Sequence, residues 1–346
     1  MKRLTIQLLL GAAACLAAAA CAKSTESSTG AVAQEYLGLW MQEYHPGIAA
    51  ASTGVYILED EAGTGDLWDS TIPYSRLITS IRSLGGQFST TGHEAYAKQL
   101  GTYVEGNYYG PLFTLTESGY AGVEALLTGM RTGGTRTAVV PAWLLTADRH
   151  STQQEYIDAC SSLSSLIYTV TLAGQASDIA SWEQEQVAQY AARNFGGQMQ
   201  AIGFNDASSE ADIFYFYSDV TGFKEEDALE SGAKYKLNYT GRLLDGTVFD
   251  TTLEKVAKDN GIYSSSSTYS TASIVSADSY SDYTMNGSST LLDGFKGALA
   301  QMKYVGQKGV AVFTSDLGYT STGSGSKIPA YAPLRFDLEI VSVIED

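Results

Sequence analysis

The chain has 346 residues, 44% of them hydrophobic, which is enough for sizeable cores and points to about two domains rather than one. Its 38 acidic against 21 basic residues leave a formal net charge of −17, which excludes the basic face that nucleic-acid phosphates require. Three histidines, His45, His93 and His150, lack metal-ligand spacing, and Gly63-Thr64-Gly65 is too short for a nucleotide loop, so neither a metal nor a cofactor is expected.

Met1-Lys2-Arg3 precedes an uncharged Leu/Ala run that ends in small residues before Cys21, the pattern of an export signal. The small residues before Cys21 resemble a bacterial lipobox. That resemblance implies a signal segment set at 1–21 that is cleaved before Cys21, lipidation of that thiol, and a chain lipid-anchored in a bacterial cell envelope, on its periplasmic or outer-membrane face. Cys15 is a weaker candidate, and a retained membrane anchor is the alternative, because the run is near the length that spans a bilayer. Cys160 then stays as a lone thiol without a partner for a disulfide, and reads as a buried small hydrophobe.

Residues 22–34 are Ser/Thr-rich and read as a flexible tether. Glu35 to Tyr44 carries Tyr36, Leu39 and Trp40 at helical spacing, closed by Pro46-Gly47. From Gly54 onward the first half is echoed by the second. Tyr74 to Thr91 aligns with Tyr235 to Thr252 at an offset of 161 residues, and Glu94 to Tyr103 with Glu254 to Tyr263 at an offset of 160. Val123, Leu126, Leu127 and Met130 match Phe295, Ala298, Leu299 and Met302 at an offset of 172. The growth in offset assigns about 12 extra residues to the Ser/Tyr-rich interval between Tyr263 and Leu291. Trp182 to Phe195 forms a second helix, with Trp182, Val187, Tyr190 and Ala191 on one side and Gly196-Gly197 as its stop.

The most informative stretch is Tyr235 to Thr252. Tyr235, Leu237 and Tyr239 alternate with polar residues as in a half-buried strand, and Asp245-Gly246 turns a hairpin into an arm ending in Phe249-Asp250. With Tyr239-Thr240-Gly241 ahead of it, this stretch resembles the hairpin of FKBP-type peptidyl-prolyl cis/trans isomerases. A second match runs from Val310-Ala-Val-Phe313 through Tyr319 and Ile328-Pro329 to Phe336-Asp-Leu-Glu339.

The resemblance implies an α+β fold of two FKBP-like domains, each a twisted antiparallel sheet around a short helix and each preceded by a helix. The divisions expected are a degenerate domain at 35–178, a linker helix at 179–204 and an isomerase domain at 205–346. It implies catalytic-site roles for Tyr239, Phe249, Asp250, Tyr319 and Phe336, and substrate contacts from Leu291, Leu292, Phe295 and Ile328. Phe295 stands where the family usually has tryptophan. In the first half the matching positions read Ile78, Ser89, Val123 and Ala147, with only Phe88 and Tyr168 persisting, so that half is expected to lack the site. The implied partners are proline-containing, unfolded or partly folded polypeptides. The alternative of another class is a chaperone or binding lipoprotein that keeps the fold without turnover, and a surface adhesin-like module is a third. Client identity and oligomeric state stay open.

Overall fold

The computed structural model describes residues 27–116, 119–203 and 213–345, with the backbone alone for Ile213. The leader and Cys21 therefore lie outside the described residues. The fold is α+β, with two antiparallel sheets, each wrapped on its own apolar core.

The first helix, α1, spans Thr29–Tyr44 and starts six residues ahead of the expected Glu35. The Ser28 hydroxyl accepts from Ala31 N at 3.2 Å and so caps it. Gly30 and Ala33, read as part of the tether, are small because they pack: a Cβ on Gly30 would sit 1.8 Å from the Ile157 carbonyl oxygen, and Ala33 is buried.

The first sheet contains β1 (Tyr56–Glu61), β2 (Tyr74–Ser83), β3 (Phe88–Thr91), β4 (Leu112–Leu115), β5 (Thr135–Val140) and β6 (Leu166–Ala176). Between them run α2 (Glu94–Gln99), α3 (Ala121–Leu127) and α4 (Gln153–Ala159). The strand order is β1-β5-β6-β2-β3, with β4 also paired to β2. Cys160 is half-buried rather than buried, and its thiol donates to the Ser162 carbonyl at 3.1 Å.

Then come α5 (Ile179–Phe195), β7 (Gln200–Gly203), β8 (Ile213–Ser218), β9 (Lys234–Leu243), β10 (Val248–Thr251), α6 (Glu254–Asp259) and β11 (Ala272–Val275). The chain closes with β12 (Thr284–Met285), α7 (Asp293–Ala300), β13 (Lys308–Phe313) and β14 (Leu334–Val343). This sheet is ordered β12-β11-β9-β14-β13-β8-β7, with β10 also paired to β9. Strands β8, β13, β14 and β9 thus occupy the places that β1, β5, β6 and β2 hold in the first sheet.

The pairing corrects the expected alignment of the hairpins. Arg82 lies opposite Phe88 as Arg242 lies opposite Val248, and Ile81 opposite Thr90 as Gly241 opposite Asp250. The offset is 160, not 161, so Tyr239 corresponds to Thr79, Asp250 to Thr90 and Phe249 to Ser89, while Phe88 takes the place of Val248. Aligning on the aromatic residue shifts the register by one, which moves side chains to the opposite face. The extra residues are also narrower in place than expected. Strands β4 and β11 pair equivalently, Leu112 with Leu77 and Ala272 with Leu237. The connection from β11 to α7 then takes 276–292, against 116–120 from β4 to α3.

Helix α5 is not a free linker. Asp178 caps it by accepting from Ser181 N at 2.8 Å, and Gly196 ends it in the left-handed region at φ 58°. Its buried line is Ile179, Glu183, Val187 and Ala191, and Val187 and Ala191 pack with Val312 of β13. Trp182, expected on that face, turns instead toward Phe113, with ring centroids 5.0 Å apart. Glu183 is 2% exposed, and its carboxylate accepts from Ser315 N at 2.6 Å and Ser315 Oγ at 2.8 Å, tying the helix to the turn after β13. Burial raises this carboxyl above its ordinary range, only partly offset by the two bonds from Ser315.

Candidate functional site

Alternation along β9 sends Leu237, Tyr239, Gly241 and Leu243 to one face, opposite Ile340, Leu338, Phe336 and Leu334 of β14. Gly241 lies between Asp250 on one neighbouring strand and Phe336 on the other. A Cβ there would come within 2.4 Å of the Phe249 ring and 3.0 Å of the Phe336 ring. The missing side chain is what lets those two rings close over the strand, a requirement for the glycine of Tyr-Thr-Gly that sequence reasoning did not identify.

The turn between β9 and β10 is held by Leu243 N donating to Thr247 O at 2.9 Å, with Gly246 at φ 97° and the Asp245 carboxylate accepting from Thr247 N at 2.8 Å. Beyond it, the Thr252 hydroxyl accepts from Tyr239 N at 2.9 Å, and the Thr251 hydroxyl donates to Tyr239 O at 3.0 Å. Two hydroxyls therefore fix the backbone of Tyr239, the residue whose phenol reaches Asp250.

The expected site residues converge. Tyr239 donates to Asp250 Oδ2 at 2.7 Å. Its ring meets Phe295 edge-on at 5.5 Å, Phe295 meets Phe336 at 5.0 Å, and Phe249 meets Phe336 at 5.7 Å. Leu291, Leu292, Ile328 and Tyr319 pack against the same apolar cluster. Phe249, Phe295, Ile328 and Phe336 are buried, Tyr239 and Tyr319 half-buried, and Asp250 exposed, so the polar groups lie at the mouth of an aromatic floor. Burial, and then the Asp250 carboxylate, push the phenols of Tyr239 and Tyr319 above their ordinary range, so both stay protonated near neutral pH.

One feature departs from the expected apolar hollow. The cavity that reaches Tyr239, Phe249 and Asp250, of about 450 Å³, is walled on its other sides mostly by polar groups, Thr251, Thr252, Ser267–Thr271, Asn286 and Lys327, with Ile262 and Ala272 as its apolar members. The Ser/Tyr-rich segment ahead of β11 folds over this side and supplies hydroxyls where an apolar wall is expected. Among the described residues no group of His, Cys, Asp or Glu gathers in a metal-binding arrangement.

Among the described residues, the first half gathers no such box. Ser89 hydrogen-bonds the Ile81 carbonyl, Phe88 leans on Tyr96 and Arg82, and Val123 stands at the position of Phe295. Tyr168 is buried, its phenol pushed up to about 12 by burial.

These features match known proteins over one stretch of the chain. Residues 225–341 fit the family pattern described as FKBP-type peptidyl-prolyl cis-trans isomerase. A macrophage infectivity potentiator of Trypanosoma cruzi is 31% identical over 110 residues, 32% of this chain and 43% of the relative. An FKBP-type 22 kDa peptidyl-prolyl cis-trans isomerase of Escherichia coli is 27% identical over 111 residues, 32% of this chain and 41% of the relative. The chain thus spans less than half the length of these curated relatives. The crystal structure of FkpA from Escherichia coli aligns with a TM-score of 0.30 at 18% identity, over 47% of this chain and 60% of that one. Over residues 225–341, the C-terminal part of this chain thus matches the FKBP-type peptidyl-prolyl cis-trans isomerase family.

Proposed function

We propose that residues 225–341 catalyse cis/trans isomerisation of Xaa-Pro bonds in unfolded or partly folded polypeptides. The observation that supports this most is the box of Tyr239, Phe249, Phe295 and Phe336 with Asp250 at its mouth. Rotation about a prolyl amide crosses a barrier of roughly 18–20 kcal/mol without making or breaking a bond. A twisted amide loses resonance and is less polar along C–N. An apolar aromatic floor therefore favours it over the planar form, which water solvates better. The roles proposed follow from position: Phe249, Phe295, Ile328 and Phe336 seat the pyrrolidine ring, Leu291 and Leu292 line its entry, and Tyr239, Asp250 and Tyr319 supply the polar mouth.

We further propose that the first half, in which Thr79, Thr90 and Val123 replace Tyr239, Asp250 and Phe295, is non-catalytic. The sequence pattern also supports export and a lipid on Cys21; intact-mass analysis of the mature N-terminus tests this, and an unmodified residue 21 refutes it.

Turnover of the full chain on a short Xaa-Pro peptide, beside Asp250→Ala and Phe336→Ala, tests the central reading. Loss of turnover in both folded variants supports it, and a folded wild type at the uncatalysed rate refutes it. The second outcome would favour a binding protein without turnover, a reading supported by the hydroxyl-walled cavity beside Asp250.

A further inference from the structure

A groove of about 250 Å³ runs between the two halves, with Arg76, Phe113, Trp182, Asp245 and the stretch Pro329–Pro333 among its walls. The halves are held around it by Tyr108 N donating to Ser326 O at 2.8 Å and by Ser326 Oγ donating to Asn107 at 2.8 Å. Arg76 lies in its wall. The guanidinium carbon stands 4.2 Å over the Trp182 ring and 5.6 Å from Phe113, and Phe113 meets Tyr331 edge-on at 5.9 Å.

The aromatic faces account for the position of this cation but not for its hydrogen-bonding capacity. Among the described residues, Arg76 Nε is buried without a partner and no carboxylate pairs with the group. Three other arginines withdrawn from water are paired, Arg136 with Asp60, and Arg242 and Arg335 with Asp337, whereas Arg82, half-buried like Arg76, lies over the Phe88 ring without an ion pair among the described residues. A half-buried planar fork whose Nε–H is left open matches a carboxylate, which takes two N–H groups of a guanidinium side by side. Asp245, the acid in the same wall, already accepts from Thr247 N.

We propose that this groove is a second polypeptide-contact site, in which Arg76 receives the carboxylate of a glutamate or aspartate borne by a client chain. The proposal rests on the reading that the C-terminal part acts on polypeptides. A polypeptide fits for two reasons. The groove is walled by proline and aromatic faces, the surface on which extended chains lie. It is also continuous with the candidate site through one segment, since Ile328 packs into the site cluster and Pro329–Pro333 line the groove. With a net charge of −17 the protein repels acidic chains at large, so recognition depends on the desolvated contact at Arg76.

The test is calorimetric binding of a short alanine-based peptide, carrying one Ala-Pro bond and a run of glutamates beside it, to the full chain. Its twin carries glutamines. The expected result is about tenfold tighter binding of the glutamate peptide, a preference that vanishes in Arg76→Gln and persists in part in Arg76→Lys, which keeps charge without the fork. Equal affinity for the twins, or a preference that survives Arg76→Gln, overturns the proposal, as does competition by free N-acetylglutamate as strong as by the peptide. Thermal melts establish that both variants fold. Phe336→Ala separates the two readings: it abolishes turnover if the isomerase reading holds, and leaves the glutamate preference intact if the groove is a separate site.

Discussion

Tyr239 donates its phenolic hydrogen to Oδ2 of Asp250, eleven residues along the same hairpin, at 2.7 Å. The bond holds an exposed carboxylate over an aromatic floor and fixes the ring that forms one wall. Tyr239→Phe keeps the ring and frees the carboxylate, so kcat/KM on an Xaa-Pro peptide should fall by roughly tenfold or more, the worth of one hydrogen bond to a charged group. A change of less than about twofold would show that the hydroxyl is not used in rotation.

Gly241 carries a sharper expectation. Gly241→Ala places a methyl 2.4 Å from the Phe249 ring, between two strands that cannot separate. Overpacking of this kind costs about 1–3 kcal/mol. Chemical denaturation should show that loss, with turnover falling more than stability does, because Phe249 and Phe336 must tilt. Unchanged stability would mean that the rings have room.

The Glu183 carboxyl links stability to acidity. Its pKa is raised in the folded chain, so the folded state binds more protons than the unfolded state as pH rises from about 4.5. Stability contributed by this group is therefore full in acid and declines as pH rises through the raised value. Glu183→Gln accepts from Ser315 N and donates to its hydroxyl without a buried charge. The variant should match wild type in thermal melts at pH about 4 and gain on it toward pH 7. Glu183→Ala orphans the Ser315 N–H and should lose about 1–3 kcal/mol. A wild-type advantage over the glutamine variant that grows with pH would reverse the sign.

Tyr235 fills the second core with 1% exposure, and its hydroxyl finds no partner among the described residues. Tyr235→Phe deletes a buried, unsatisfied group and little volume, so it should be neutral or stabilise by about 1 kcal/mol. Destabilisation by more than that would reveal a partner for the hydroxyl.

Much of the second half was legible because its signals are local. The alternation at Tyr235–Tyr239, the Asp-Gly turn and the helix face of Phe295, Ala298 and Leu299 lie on neighbouring residues. What escaped depends on partners far along the chain. Glu183 belongs to no sequence pattern and gains its partner only when Ser315, 132 residues later, closes on it. Trp182 reads as part of the buried face until Arg76 and Phe113 draw it away. The early start of α1 was hidden by small polar residues, which suit a tether and a close helix crossing equally well. The hairpin offset was misread because residue identity favours Phe88, whereas strand parity, which the sequence does not display, decides the face.

Strand β14 lies between β9 and β13 and is the last of its sheet in chain order, with Leu338 paired to Tyr239, 99 positions earlier in the sequence. The first sheet closes much earlier, when β6 pairs with β2 and β5 by Ala176. On a ribosome adding roughly 5–20 residues per second, the first core can form about 10–30 s before the strand that completes the second has been made. For that interval Arg76 and Phe113 stand on a finished surface whose opposite wall does not yet exist.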